Sequence, residues 1–378
     1  MQLQRLTLGL VAIVLALAVA RPATAQNLQP LGPIGEDVDG QPFAPAELST
    51  YGNGPSLNYG VFFQYDALFW NFSRPRITQV GFPGVGTATA GGLALSNSDT
   101  NTNDTSFINP NFRNGNRYEL GYIQDNGWGW ELSYAETSPA WSNATYQNPT
   151  ILFADPGAIV LNAPGILAYT FGEGVNFSNS DKLTSIELMR TVRSDPDDFG
   201  SYGEFMFGAR YFELDDIFRI SDQIQFDNTF GDGFDVSTQV KNQLVGPQVG
   251  FKWKNVREKW TFGVEARGMI AANLEDTRQS VRVVLTDPLL GVKILDNSLQ
   301  NGRHDTELAE LGELRVESSY ELTKAVKVHI EYTAMGVNGI SRASERVIYA
   351  LPNMGINGSN RNEAMFINGV SFGVEINR

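Results

Sequence analysis

Residues 117 to 135, RYELGYIQDNGWGWELSYA, hold a period of two through two consecutive segments. Tyr118, Leu120 and Tyr122, then Trp128, Trp130, Leu132 and Tyr134, form one set, while Glu119, Gly121, Gly129, Glu131 and Ser133 form the other. Successive side chains of an extended backbone point to opposite faces, so this is a pair of strands with one apolar and one polar side. Between them Asp125-Asn126-Gly127 offers residues that tolerate the positive φ of a tight hairpin turn. The apolar side is rich in Tyr and Trp, which favour boundaries that are greasy at one end and wet at the other.

The start of the chain says where such a sheet works. Arg5, an apolar run from Leu6 to Ala20, and Ala23-Thr24-Ala25 before Gln26 are the parts of a secretory signal peptide, residues 1 to 25. That run falls short of the roughly 20 residues a spanning helix needs, and no longer one follows. A membrane location therefore requires a closed barrel, because lipid leaves an open sheet edge unsatisfied. Residues 26 to 56 are proline-rich and read as a periplasmic leader, and residues 57 to 378 as the barrel domain. The chain has no Cys, which removes disulfides and thiol chemistry. Its formal charge of -14 becomes -16 once Arg5 and Arg21 leave with the signal peptide, which argues against nucleic acid as a partner.

Period-two patterning predicts ten strands, at 61–72, 117–123, 128–135, 182–192, 204–212, 245–253, 260–270, 313–322, 326–334 and 370–376. A hairpin drawn from 158–171 or 281–295 would raise the count to twelve. Arg190 falls among Ile186, Leu188 and Val192 on the fourth strand and calls for a bulge or a turn near the membrane edge. Pro247 removes a ladder bond from the sixth. Short turns near 125, 195, 256 and 323 alternate with long loops near 95, 158, 226, 290 and 350, the last but two being an acidic loop over 213–238. Outer-membrane barrels sort their connections in this way, short in the periplasm and long outside. The expected fold is an all-β, transmembrane, antiparallel up-and-down barrel. Trp128, Trp253 and Trp260, with Tyr122 and Tyr320, lie beside short turns and form a periplasmic aromatic girdle.

Three stretches carry a family resemblance: GVFFQYDALFWNFSRP at the first strand, KNQLVGPQVGFKWKNVREKWTFGVEARG at the sixth and seventh, and FINGVSFGVEINR at the last. In these the chain resembles the putative β-barrel porin family seven of bacterial outer-membrane proteins. The resemblance implies an outer-membrane barrel, and it carries over no functional residues. Barrels of this type usually end in an aromatic residue read by the insertion machinery; this chain ends Ile376-Asn377-Arg378.

Inward positions hold the chemistry. Asp66, Glu119, Glu131, Glu265, Glu313, Glu317, Glu331 and Glu375, with Arg210, Arg267 and Arg315, are the expected pore-lining set. Two functions fit it: a narrow porin whose acid excess weakly prefers cations, or a closed-lumen structural or surface-binding and adhesion barrel acting through its external loops. Catalysis has little to stand on, since His304 and His329 are the only histidines and neither has an evident nucleophile beside it. No cofactor or metal site is expected: Asp215, Asp216, Asp227, Asp232 and Asp235 miss the spacing of a calcium loop and read as solvated surface charge. The expected partners are outer-membrane lipids and lipopolysaccharide, the barrel-assembly machinery during insertion, and ions or small solutes.

Overall fold

The computed structural model describes residues 59–81, 88–90, 93–95, 103–110, 112–147, 150–154, 166–170, 174–222, 233–286, 293–323, 325–350, 353–359 and 362–377. The expected signal peptide and leader lie outside these residues. Eleven strands share one antiparallel sheet: β1 Gly60–Phe72, β2 Phe112–Ile123, β3 Trp128–Thr137, β4 Ala140–Tyr146, β5 Val175–Arg193, β6 Ser201–Asp222, β7 Gly233–Arg257, β8 Trp260–Thr286, β9 Lys293–Thr323, β10 Val326–Ile340 and β11 Glu363–Asn377. Each pairs with its successor, except that β3 and β4 both pair with β5, at its lower and upper parts. Pro139 has no N–H to give a ladder, and the chain breaks there between β3 and β4. The two segments form one stave of a ten-membered ring, which closes where β1 meets β11, with Phe63 opposite Ile376 and Phe69 opposite Val370.

All ten predicted strands are staves of this ring. The turn in the opening hairpin is built as its sequence requires: Gly127 has φ +79°, and a Cβ there would lie 2.4 Å from the Arg193 carbonyl oxygen. The register of β5 runs unbroken through Arg190, so neither a bulge nor a turn is present. At Gly246-Pro247 the pairing of β7 with β8 lapses and then resumes in the same register, Val245 opposite Ala272 and Gln248 opposite Met269. A proline therefore costs this stave ladder bonds without shifting it.

The predicted long loops need correction. β6 continues through the supposed acidic loop to Asp222 and β7 starts at Gly233; β8 continues to Thr286 and β9 starts at Lys293. The 281–295 stretch thus extends two staves and adds no hairpin to the ring, while 150–154 and 166–170 pair as a separate two-stranded sheet. Crossing a bilayer takes about 9–11 tilted residues, so most of β9, with 31 residues, stands beyond the membrane.

The faces trade character at that boundary. In the lipid belt Val249, Trp253, Phe262, Val264, Val316, Ile330, Phe372 and Val374 are exposed on the outside. Beyond it Asp235, Ser237, Gln239, Lys241, Arg278 and Ser280 take the outward positions, and Phe218, Ile220, Phe234, Val236, Val240, Val281 and Val283 pack inside. Water surrounds this outer section, so it is built as a soluble barrel wall would be, apolar within and polar without. Val347, Tyr349 and Met354, from the segment after β10, join that core.

Candidate functional site

Period two turns alternate side chains of the belt toward the lumen and toward lipid, so the charges that lipid excludes collect inside. All eleven expected lining residues point inward. Nine of them, all but Glu317 and Glu375, are buried.

They meet across the ring in one network. Arg117 on β2 holds Asp66 of β1 at 2.8 Å and Glu331 of β10 at 2.9 Å. Arg267 on β8 reaches Glu187 of β5 at 2.5 Å and Glu131 of β3 at 2.9 Å, and also pairs with Glu265 on its own strand. Arg210 on β6 meets Glu313 of β9 at 2.6 Å, and Arg315 on β9 meets Glu119 of β2 at 3.1 Å. Lys252 caps Glu265 at 3.0 Å. Several of these partners are three or four staves apart, so the bonds span the lumen. Arg267 is 1 % exposed and Asp66 0 %. Buried charges demand such partners, because an unpaired one costs several kcal/mol.

His329 lies in this layer, bonded through Nε2 to Asp66, with Gln64 beside both. His304 is outside it: it sits on β9 rather than in a loop, 79 % exposed, with Nδ1 at 3.3 Å from Asp276 Oδ1. Arg117 and Glu187 escaped the expected lining set. Period two places Glu187 inward opposite Ile186 and Leu188, but Arg190 obscured that pattern.

Four further levels fill the lumen. On the short-turn side Lys254 and Glu317, 3.4 Å apart, and Lys327 and Glu375, 3.7 Å apart, line a cavity of about 90 Å³ together with Glu119, Glu131, Glu265 and Glu331 of the charged layer. Above the charged layer lie Leu68, Trp70, Phe212, Leu214, Leu244, Met269, Leu311, Met335 and Ile367, all buried. Next comes a second polar level. Arg342 bonds Asp216 at 2.8 Å and Asp181 at 3.1 Å, and Arg346 bonds Glu275 at 2.6 Å. Asn242 accepts from the Ser341 backbone N–H at 2.8 Å. The apolar core of the outer section closes the stack. Burial works against the Arg342 cation, yet Asp216 and Asp181 outweigh it and hold its pKa above the usual arginine value. At the outer end of β11, burial and then the nearby Glu345 carboxylate push Glu363 up to about 7.

Asp216 corrects the reading of the acidic stretch as solvated charge, for it is 0 % exposed. Asp215 and Asp235 are surface residues, near Lys241 and bonded to Arg219 respectively. Asp227 and Asp232 lie outside the described residues. Among the described residues no group of His, Cys, Asp or Glu is arranged to hold a metal ion.

On the outer section Ser237, Gln239, Arg278, Ser280, Gln300, Asn301 and Gly302 line an open concavity of about 640 Å³. It offers amide, hydroxyl and guanidinium groups to the surroundings.

The family described as Putative beta barrel porin-7 matches residues 73–377. The outer membrane protease OmpT from Escherichia coli is similar at 10 % identity, covering 84 % of this chain and 97 % of its own, with a TM-score of 0.42. The Pseudomonas putida toluene transporter TodX aligns at 7 % identity over 84 % of this chain and 90 % of its own, TM-score 0.22. A Pseudomonas aeruginosa FadL homologue aligns at 7 % identity over 84 % and 89 %, TM-score 0.23. No curated protein matches.

Proposed function

This chain belongs to the putative beta barrel porin-7 family of outer-membrane β-barrels, and from that premise we propose that its lumen is closed and that it acts through its outer section as a surface-binding barrel. The observation that carries this reading is the ion-pair layer. Asp66, Glu119, Glu131, Glu265, Glu313 and Glu331 are committed to Arg117, Arg210, Arg267, Arg315, Lys252 and His329 at bonding distance, and stacked above them are an apolar level and a second polar level. In this reading the expected pore-lining residues fill the lumen. Four of those carboxylates, Glu119, Glu131, Glu265 and Glu331, line the short-turn cavity, and a cation-preferring path would need that cavity to continue through the apolar level above it.

The outer section supplies the working surface. Its concavity, with Gln239, Arg278, Gln300 and Asn301, carries hydrogen-bonding groups that a hydroxyl-rich surface polymer could engage. In this reading the role is binding, and His329 serves as a partner of Asp66 inside the charge layer. Lipopolysaccharide at the outer rim and the barrel-assembly machinery during insertion are the partners that this location implies.

Purified protein in a planar bilayer tests the proposal. Silence at all voltages is expected; discrete conductance steps would overturn it in favour of the narrow porin.

A further inference from the structure

The lipid-facing belt carries one charge. At the outward positions of 61–69, 118–122, 128–134, 186–192, 205–211, 245–253, 260–270, 314–322, 326–334 and 370–376, every residue but Arg190 is uncharged. A cation there costs about 2–4 kcal/mol at the bilayer midplane and close to nothing at the interface, so its height matters. Arg190 lies three residues before the end of β5, opposite Trp130, two pairs away from the Trp128 that follows the short hairpin turn. That is the level of the periplasmic girdle.

Two tryptophans hold it. The guanidinium carbon lies 4.9 Å from the Trp128 ring centre and 4.8 Å from that of Trp130. Phe207 stands opposite on β6. The outward residues around it, Leu188, Val192, Phe205, Phe207, Trp128, Trp130 and Leu132, bring no carboxylate, and among the described residues Arg190 has no ion-pair partner. Glu187 on the same strand and Glu131, next to Trp130, point into the lumen and pair with Arg267. A guanidinium held against ring faces keeps its N–H donors on its rim, and these match two oxygens of a phosphate at once.

We propose that Arg190, Trp128 and Trp130 form a binding site for the phosphodiester of a glycerophospholipid in the periplasmic leaflet. The tryptophans occupy the headgroup level and fix the guanidinium by cation–π contact; the phosphate supplies the anion that the protein withholds. Leu132 and Leu188, one outward position further from the turn, lie along the acyl chains. The site accounts for a charge that the rest of the belt forbids.

Titration of the intact protein in detergent with dioleoylphosphatidylglycerol, read by native mass spectrometry, tests this. One lipid is expected to bind well ahead of the others. Dioleoylglycerol, which has the same chains and no phosphate, is expected to bind about tenfold more weakly or less, and equimolar inorganic phosphate to displace nothing. Arg190→Gln is expected to lose about tenfold in affinity for the phospholipid while keeping heat-modifiable gel mobility. Equal binding of dioleoylglycerol, displacement by inorganic phosphate, or unchanged binding by Arg190→Gln would each overturn the proposal. The first two need no variant, so they stand even if the substitution fails to fold.

Discussion

Arg267 holds Glu131, Glu187 and Glu265 from a single position. Removing one partner of a buried charge cluster leaves the others uncompensated, at about 3–5 kcal/mol. Arg267→Met should therefore lower the urea midpoint of the heat-modifiable band by that equivalent; a loss under about 1 kcal/mol would mean the layer is hydrated. Glu363 works in the opposite sense. Its pKa is raised to about 7 in the folded protein from an ordinary 4.5, so the folded state binds the extra proton between those values. Stability from this group is full below about pH 4.5 and falls as the pH climbs to about 7. Glu363→Gln should remove that decline from thermal unfolding measured across the window; a variant as pH-sensitive as the parent would contradict the assignment. Arg190 shows how far a residue pattern carries: its misfit on the lipid face was visible in the sequence, and the tryptophans that accommodate it became visible only when β3 paired with β5.

At the scale of the element, the long staves behave as two sections joined end to end. Along β6, Phe205 and Phe207 face lipid, whereas Phe212, Leu214, Phe218 and Ile220 face inward. Phe218 is packed in the outer core, and truncating a buried Phe costs about 3–5 kcal/mol. Phe218→Ala is expected to raise hydrogen exchange and protease cutting over 213–222 and 233–244 while the lipid-belt section keeps its gel mobility. If the belt melted with the outer section, the two would be one cooperative unit. The alternation F-E-L-D-D-I-F-R-I over 212–220 is intact in this stave. It reads as a loop because Asp216 sits on the inward face and Ile217 on the outward one, and the buried Asp216 depends on a partner from elsewhere, Arg342, 126 residues away.

For the whole molecule, the proposed closure is redundant. The inserted segment after β10, the apolar level and the ion-pair layer each span the lumen. Deleting residues 343–349 should therefore leave a planar bilayer silent. Conductance steps after that deletion would show that the inserted segment alone keeps the lumen shut. An interior of this kind costs desolvation for every charge it holds, and it repays that cost only when the ring is complete and all partners are in place.

The sequence by itself determined the ten staves, their inward and outward faces, the short-turn end and the girdle, because each depends on a period of two and on what lipid tolerates locally. It also placed the charges of the belt inside. Whether those charges line a water path or neutralise one another depended on which residues meet across the ring, a matter of register and closure between staves far apart in the chain. The same holds for the outer section, whose core is assembled from Phe177, Phe218, Phe234 and Val281 of four strands and from Tyr349 of a connection. Its faces reverse because the surrounding medium changes from lipid to water partway along each strand, and only the tertiary structure shows where that happens.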